Sequence, residues 1–508
     1  LKFAWHNVFS VMTSAQSIIG IDIGTTNTKG VAFTKEGKVL ASVNETYSAV
    51  SSKERYHELM PGEVLNAVVT VLKKIIAEIK PLAEIKGISF SCAMHSLMAV
   101  AENGKPLTNF MTWADLRSAD EATKLKHTDV GNKIYERCGT PIHAMTPICK
   151  ILWLKNNQPD ILSKAYKFIG IKEYFWHEFF GKYKIDYSIA SATGMFDIYE
   201  FKWNEEALNV AGISSNRLSE VVDSFHAETN LVKKYQEEFS INNVPFIIGG
   251  SDGCLANLGS NAIEEGESSL TIGTSGALRM ASSKPKHDPK QRIFNYILTK
   301  DIYVSGGAMN NGGSVINWYA NNFLSESNFK EKKFSEIMKR IDDVEAGSEG
   351  LIFLPYLFGE RAPIWNENAR AVFFGIHSNH QQKHFLRAIT EGISFSIYQI
   401  GISLEETIGS IKRIYASGGF IQSKTWLQII ADVFNKEVVV LSVSDASAIG
   451  AAMIGMKSVG MIQDFHEVTK TFSVQEKFFP DAERNKIYQS CIGKFASLYN
   501  KLKDEFSE

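Results

Sequence analysis

Cysteine is scarce and scattered. Five thiols, Cys92, Cys138, Cys149, Cys254 and Cys491, are spread over 508 residues, and no two form a CxxC pair. This spacing argues against a disulfide framework or a structural zinc site and fits a reducing cytoplasm. No block is dense in lysine or arginine and the formal net charge is −2, so nucleic acid is not an expected partner. No apolar run approaches the ~20 residues that cross a bilayer. The longest, residues 446–456, is short and rich in small side chains, and reads as a buried helix. Residues 1–11 precede Met12 without the charged start and long apolar core of a secretory leader. Met12 is read as the natural start, and residues 1–16 as an N-terminal extension outside the fold. Low-complexity tracts and long linkers are also missing.

What is present is an ordinary globular composition, 44% hydrophobic and 22% charged, enough for two cores. Strands and helices alternate, which predicts an α/β architecture. The most informative segment is residues 17–32. It reads as a strand to Asp22, a tight turn at Gly24-Thr25-Thr26, and a returning strand. Gly24 lets the backbone approach a ligand closely. The Thr25 and Thr26 hydroxyls and the turn amides suit phosphate oxygens, and Asp22 suits Mg²⁺ held through its water shell. Read alone, the segment is equally a hairpin with a polar turn. Residues 268–281 repeat the pattern, with Ile272-Gly273-Thr274-Ser275 in line with Ile23-Gly24-Thr25-Thr26. Two such turns, one per half of the chain, predict one phosphate chain gripped from both sides.

The spacing predicts further strands over 39–46, 87–93, 245–249, 350–357, 411–416 and 437–442. It predicts helices over 61–80, 426–434 and 445–458. The repeat has a period of half the chain, which indicates a duplicated domain. The division falls near 257–267, giving 17–260 and 261–508, with a ligand cleft between halves that pack closely and hinge. Two further glycine segments follow strands. Gly249-Gly250-Ser251-Asp252-Gly253 reads as a turn that offers Asp252 to the cleft as a general base, or as a turn that Asp252 merely caps. Ala416-Ser417-Gly418-Gly419-Phe420 reads as a bed for a flat ring or a phosphate, or as a helix entry. It lacks the length and the acidic partner of a dinucleotide fingerprint.

Two long strings then carry a resemblance. Met145, Pro147, Lys150, Ile151, Trp153, Leu154, Asn156 and Asn157 match one signature of the FGGY carbohydrate kinases. Ala371, Phe373, Gly375, Ile376, His384, Phe385, Ala388, Ile389 and Glu391 match the other, which departs only at Thr390. The chain resembles this family from about residue 17 to 460. The resemblance implies two duplicated ribonuclease H-like domains of the actin/hexokinase type with an interdomain cleft. The first half would bind sugar and phosphate, and the second the nucleotide. It implies ATP and Mg²⁺ as cofactors, with Asp22, Gly24, Thr25 and Thr26 as the first phosphate and metal loop. Asp252 would be the catalytic base, and Gly273 and Thr274 would meet the distal phosphates. Gly418 and Gly419 would cradle the adenosine, with Ser423 where some relatives place an Asn.

For the sugar, the family comparison places Met94, His95, Trp113 and Asp115 at the substrate, beside Arg117 and Asp252. The strings at 93–96, 113–118, 139–143 and 170–174 most resemble those of gluconate kinases. Xylulose kinases share the Met-His and Trp-x-Asp-x-Arg elements and differ around 140–143 and 170–174. The expected reaction is therefore ATP-dependent phosphorylation of a sugar acid at its primary hydroxyl, D-gluconate first. The alternatives are D-xylulose or, from another class, an actin- or chaperone-like ATPase. A sugar acid needs a cation for its carboxylate. Arg117, His143, Lys172 and Arg361 are the candidates, with Arg361 read chiefly as a structural partner of Glu360. Asp186 is read as structural. The expected partner is a small molecule, with no nucleic acid and no membrane; a homodimer stays open.

Overall fold

The computed structural model describes residues 15–126, 128–324, 334–443 and 445–507. Met12 and residues 1–14 of the expected extension lie outside them. Two mixed sheets organise the chain. The first is built from β1 (Gln16–Ile23), β2 (Asn27–Phe33), β3 (Val39–Thr46), β4 (Glu84–Cys92) and β5 (Phe246–Ser251), with a short edge strand at Ala227–Glu228. β1, β2 and β3 form an antiparallel meander, while β4 and β5 add in parallel on the other side of β1. Helix α1 (Pro61–Ile79) covers one face. Proline at its first position starts it with φ already helical. Of the apolar stripe expected there, Val64, Val68, Val71, Leu72, Ile75, Ile76 and Ile79 are buried.

β5 passes straight into helix α2 (Asp252–Gly259). The expected glycine turn before Asp252 is therefore strand, and Asp252 opens a helix. Gly249 absorbs the irregularity with φ at 67°, and a Cβ there would lie 2.0 Å from the Phe90 carbonyl oxygen. The second sheet repeats the plan. β6 (Glu267–Ile272), β7 (Gly276–Ser282), β8 (Phe294–Thr299) and β9 (Ile302–Met309) are antiparallel neighbours in the order β8-β9-β7-β6. Helix α3 (Gly313–Phe323) follows β9, and α4 (Gln382–Thr407) spans the second core. β10 (Arg413–Ser417) then pairs in parallel with β6. After α5 (Lys424–Phe434), β11 (Glu437–Leu441) pairs in parallel with β10. Helix α6 (Ala446–Ser458) and edge strand β12 (Val474–Phe478) follow. The strand expected over 350–357 shrinks to Ile352–Leu354, paired with Val372–Phe374 rather than with the main sheet.

The halves meet through α6, which lies against β1 and β4 of the first sheet and against α2. Glycine makes the approach possible. A Cβ at Gly259 would sit 2.0 Å from the Ala446 carbonyl oxygen, and one at Gly450 would sit 2.0 Å from that of Leu255. Among the described residues no helix is long and apolar enough to cross a membrane. All five cysteines are buried and unpaired.

Candidate active site

The two Gly-Thr turns close the β1–β2 and β6–β7 hairpins. The Gly24 amide donates to the Asn27 carbonyl (2.9 Å), and that of Gly273 to the Ser275 carbonyl (2.8 Å). The Tyr47 phenol pins the first turn by donating to the Gly24 carbonyl at 2.7 Å. The N-terminus of α3 docks on the second, with the Gly313 amide donating to the Gly273 carbonyl at 2.7 Å. Thr26 and Thr274 are exposed and Thr25 half-buried, so all three stay open to a ligand. Pairing of β6 with β10 brings Thr271 opposite Ser417, with hydroxyls 2.8 Å apart. Gly418-Gly419 therefore lies beside the second turn. Gly418 has φ at 94°, and Gly419 has nothing within 4 Å of where a Cβ would be. Ser423 does not share this opening. It is buried, and its hydroxyl caps α5 by accepting the Trp426 amide. The first turn of a helix has free N–H groups, and this hydroxyl satisfies one.

Asp22 stands at the end of β1. One of its oxygens accepts the Ser91 hydroxyl at 2.6 Å. Burial, with Asp252 and Asp445 nearby, pushes it up to about 6, against the pull of Ser91 and Lys29. Asp22 thus has two carboxylates near it, and Lys29, the nearby cation, is already paired with Asp445 at 2.6 Å, a surrounding that suits a divalent cation.

A cavity of about 290 Å³ opens between the sheets. Met94, His95, Trp113 and Asp252 line one side, and residues 273–277 line the other. Asp252 is pushed up by burial and pulled back by Arg279. One of its oxygens accepts the Gly253 amide at 2.7 Å. His95 sits at φ 66°. Its Nδ1 lies 2.9 Å from the Ala192 carbonyl and must donate to it, so Nε2 accepts from the Tyr296 hydroxyl at 3.3 Å. Burial lowers this histidine to about 3, so it meets the cavity neutral. Lys150, a residue of the first signature, explains how these loops hold their shape. Its buried ammonium donates to the carbonyls of His95, Met111 and Thr112.

Asp115 and Arg117 are not in this cavity. The Arg117 guanidinium grips Asp115 with two bonds of 2.7–2.8 Å, reaches Glu58, and lies 3.6 Å from the centre of the Tyr56 ring. Asp115 also accepts the His57 amide. A buried carboxylate is held by every donor in reach, which leaves this one none for a sugar. Lys172 is likewise spent. It is buried against Asp186 at 2.8 Å and donates to the Ile248 and Gly250 carbonyls. His143 faces Glu367 at 3.1 Å and accepts the Met145 amide.

Arg361 departs from its structural reading. Glu360 accepts the amides of Asn310 and Arg361 and the Asn311 side chain, not the guanidinium. That guanidinium lines the cavity, 4.7 Å from the Trp113 ring centre. Arg279, on β7, lines the same cavity and was not foreseen. A signal for it existed. Leu278 and Met280 are fully buried on one face of the strand, so alternation sends Arg279 to the opposite face, beside Ala277.

The FGGY family of carbohydrate kinases, N-terminal domain, matches residues 17–259, and its C-terminal domain matches residues 269–459. A gluconokinase of Bacillus subtilis is 40% identical over 97% of both chains. A xylulose kinase of Lactococcus lactis is 31% identical over 95% of this chain and 96% of its own. The crystal structure of gluconate kinase from Lactobacillus acidophilus superposes with a TM-score of 0.91 at 34% identity, covering 96% of this chain and 98% of that one. A ligand-bound xylulose kinase from the same organism gives 0.92 at 33% identity, over 97% and 99%. Backbone shape does not separate the two substrates.

Proposed function

Because the chain belongs to the FGGY family of carbohydrate kinases, we propose that it transfers the γ-phosphoryl group of ATP to the primary hydroxyl of D-gluconate, yielding 6-phosphogluconate and ADP. The observation that carries this reading is that Asp252, Met94, His95 and Trp113 line the same cavity as the second Gly-Thr-Ser turn. Identity of 40% to a gluconokinase favours the acid over the ketose.

In this reading the Asp252 carboxylate accepts the proton of the substrate's terminal hydroxyl. That oxygen forms its bond to the γ-phosphorus as the bond to the β,γ-bridging oxygen breaks, and ADP leaves with the bond's electron pair. Amides and hydroxyls at Gly24–Thr26 and Gly273–Thr274 hold the phosphates. Gly418 and Gly419 take the adenosine. Asp22 would hold Mg²⁺ through water, and the ion would supply charge neutralisation at the phosphates. Neutral His95 and the Trp113 face orient the polyol. Closure of residues 17–260 on residues 261–508 excludes water as a competing acceptor. We place the enzyme in the cytoplasm, where five buried thiols stay reduced.

A panel of sugars with coupled ADP detection tests the substrate. Gluconate should exceed xylulose in kcat/KM by ~10-fold or more, about 1.4 kcal/mol; the reverse order replaces gluconate with the ketopentose. Asp252→Asn should fold, bind ATP and lose at least ~10²-fold in kcat. Wild-type turnover in that variant would remove Asp252 from the base role.

A further inference from the structure

The cavity holds more positive charge than its own acid balances. Asp252 is the carboxylate on its wall, and Arg279 and Arg361 are the guanidiniums. Arg361 is matched by neutral acceptors, donating from Nε to Asn310 at 2.8 Å and from Nη2 to the Met309 carbonyl at 3.2 Å. Arg279 feels Asp252 across the cavity wall but makes no ion-pair contact with it. Its Nε and Nη1 are buried and meet no acceptor. No acidic group among the described residues lies within 4 Å of it as an ion pair. Its neighbours clear a place for it instead. Gly253 has no side chain, and a Cβ there would lie 3.1 Å from Arg279 Nε and 3.3 Å from Nη2. Ala277, two residues earlier on the same strand face, is small and lines the same cavity. A guanidinium desolvated without an acceptor is costly to keep. Its planar fork fits a carboxylate at two points.

Resting on the reading that the substrate is a sugar acid, we propose that Arg279 receives the carboxylate of the aldonic acid and is the residue that makes the site prefer an acid to a neutral sugar. The remaining cation, Arg361, adds to the positive field, and its hydrogen bonds go to neutral acceptors. Burial lowers both guanidiniums from their usual range, Arg361 to about 10, and a bound anion offsets that desolvation. A ketose fills the same space and leaves the Nε and Nη1 of Arg279 without an acceptor.

The test compares D-gluconate with D-gluconamide, which has the same chain and hydroxyls and no charge. The wild-type enzyme should prefer gluconate by about 10²-fold or more in kcat/KM, as expected where a buried donor is left unpaired by the wrong ligand. Arg279→Gln should bring that ratio close to one, chiefly through a rise in KM for gluconate. Arg279→Lys should restore part of it, since it keeps the charge and loses the fork. An unchanged ratio in Arg279→Gln overturns the proposal. So does an equal fall in kcat on both substrates, which would place Arg279 at the transferring phosphoryl group. If Arg279→Gln does not fold, the Lys variant decides: a ratio equal to wild type overturns the two-point contact. If the wild type phosphorylates xylulose and neither six-carbon compound, the gluconate reading itself has failed, and this proposal falls with it.

Discussion

Arg117 and Arg361 are equally buried, each 9% exposed, and each lies on an aromatic ring. One is scaffold and the other faces the cleft. Arg117 finds its countercharge inside the protein, in Asp115 and Glu58. Arg361, like Arg279 beside it, makes hydrogen bonds to neutral acceptors or none, and feels Glu360 and Asp252 respectively without an ion-pair contact. Burial therefore says little about the role of a charged side chain. The source of the opposite charge says more: a cation balanced within the fold stabilises it, while one left unbalanced at a cavity is available to a ligand.

The comparison is broken most directly at Arg117. Arg117→Met strands two carboxylates, one fully buried, and should cost roughly 3–5 kcal/mol in urea unfolding. The KM for gluconate of the remaining folded enzyme should hold. A large KM change with intact stability would move Arg117 into the substrate site. An acid without its own cation gives the converse case. Glu173 caps its helix through the Gly170 amide and accepts the Ser219 hydroxyl, while the nearby Lys172 is held by Asp186. Burial pushes Glu173 from 4.5 up to about 7. Its folded value lies above its unfolded one, so its favourable contribution is complete below about pH 4.5 and lost as pH rises through 7. Glu173→Gln should flatten that fall in melting temperature, a difference of about 2–3 kcal/mol between pH 5 and pH 8. A slope unchanged in the variant would assign it to other groups. The smallest effect is expected at Ser423. Ser423→Ala should cost about 1 kcal/mol of stability through the lost cap and leave the KM for ATP as it was. A raised KM for ATP would return Ser423 to the nucleotide.

The sequence reading followed these same lines of force. The turns that hold Asp22, Gly24 and Gly273 were legible because a strand end, a glycine and hydroxyl residues stand adjacent in sequence. The first meander and the second hairpin were legible from their strand–turn–strand pattern, while the strands Phe294–Thr299 and Ile302–Met309 were not foreseen. Asp115 and Arg117 were misread because a Trp-x-Asp-x-Arg string does not reveal that Asp and Arg fold onto each other and onto Glu58, 59 residues away in sequence. Arg361 was assigned to its chain neighbour, but Glu360 turns toward Asn310 and Asn311. Arg279 was passed over because alternation puts it on the face opposite Leu278 and Met280 without telling that this face lines a cavity. Its meaning arises only when β7 faces α2 across the cavity.

Helix α6 is encoded late in the chain yet completes the covering of the earliest strands, seated there by glycines that admit no larger residue. During synthesis the leading half must wait, with that surface bare, until residues 446–458 have left the ribosome. Severed at residue 260, each fragment made alone should precipitate, and the two made together should recover one working enzyme.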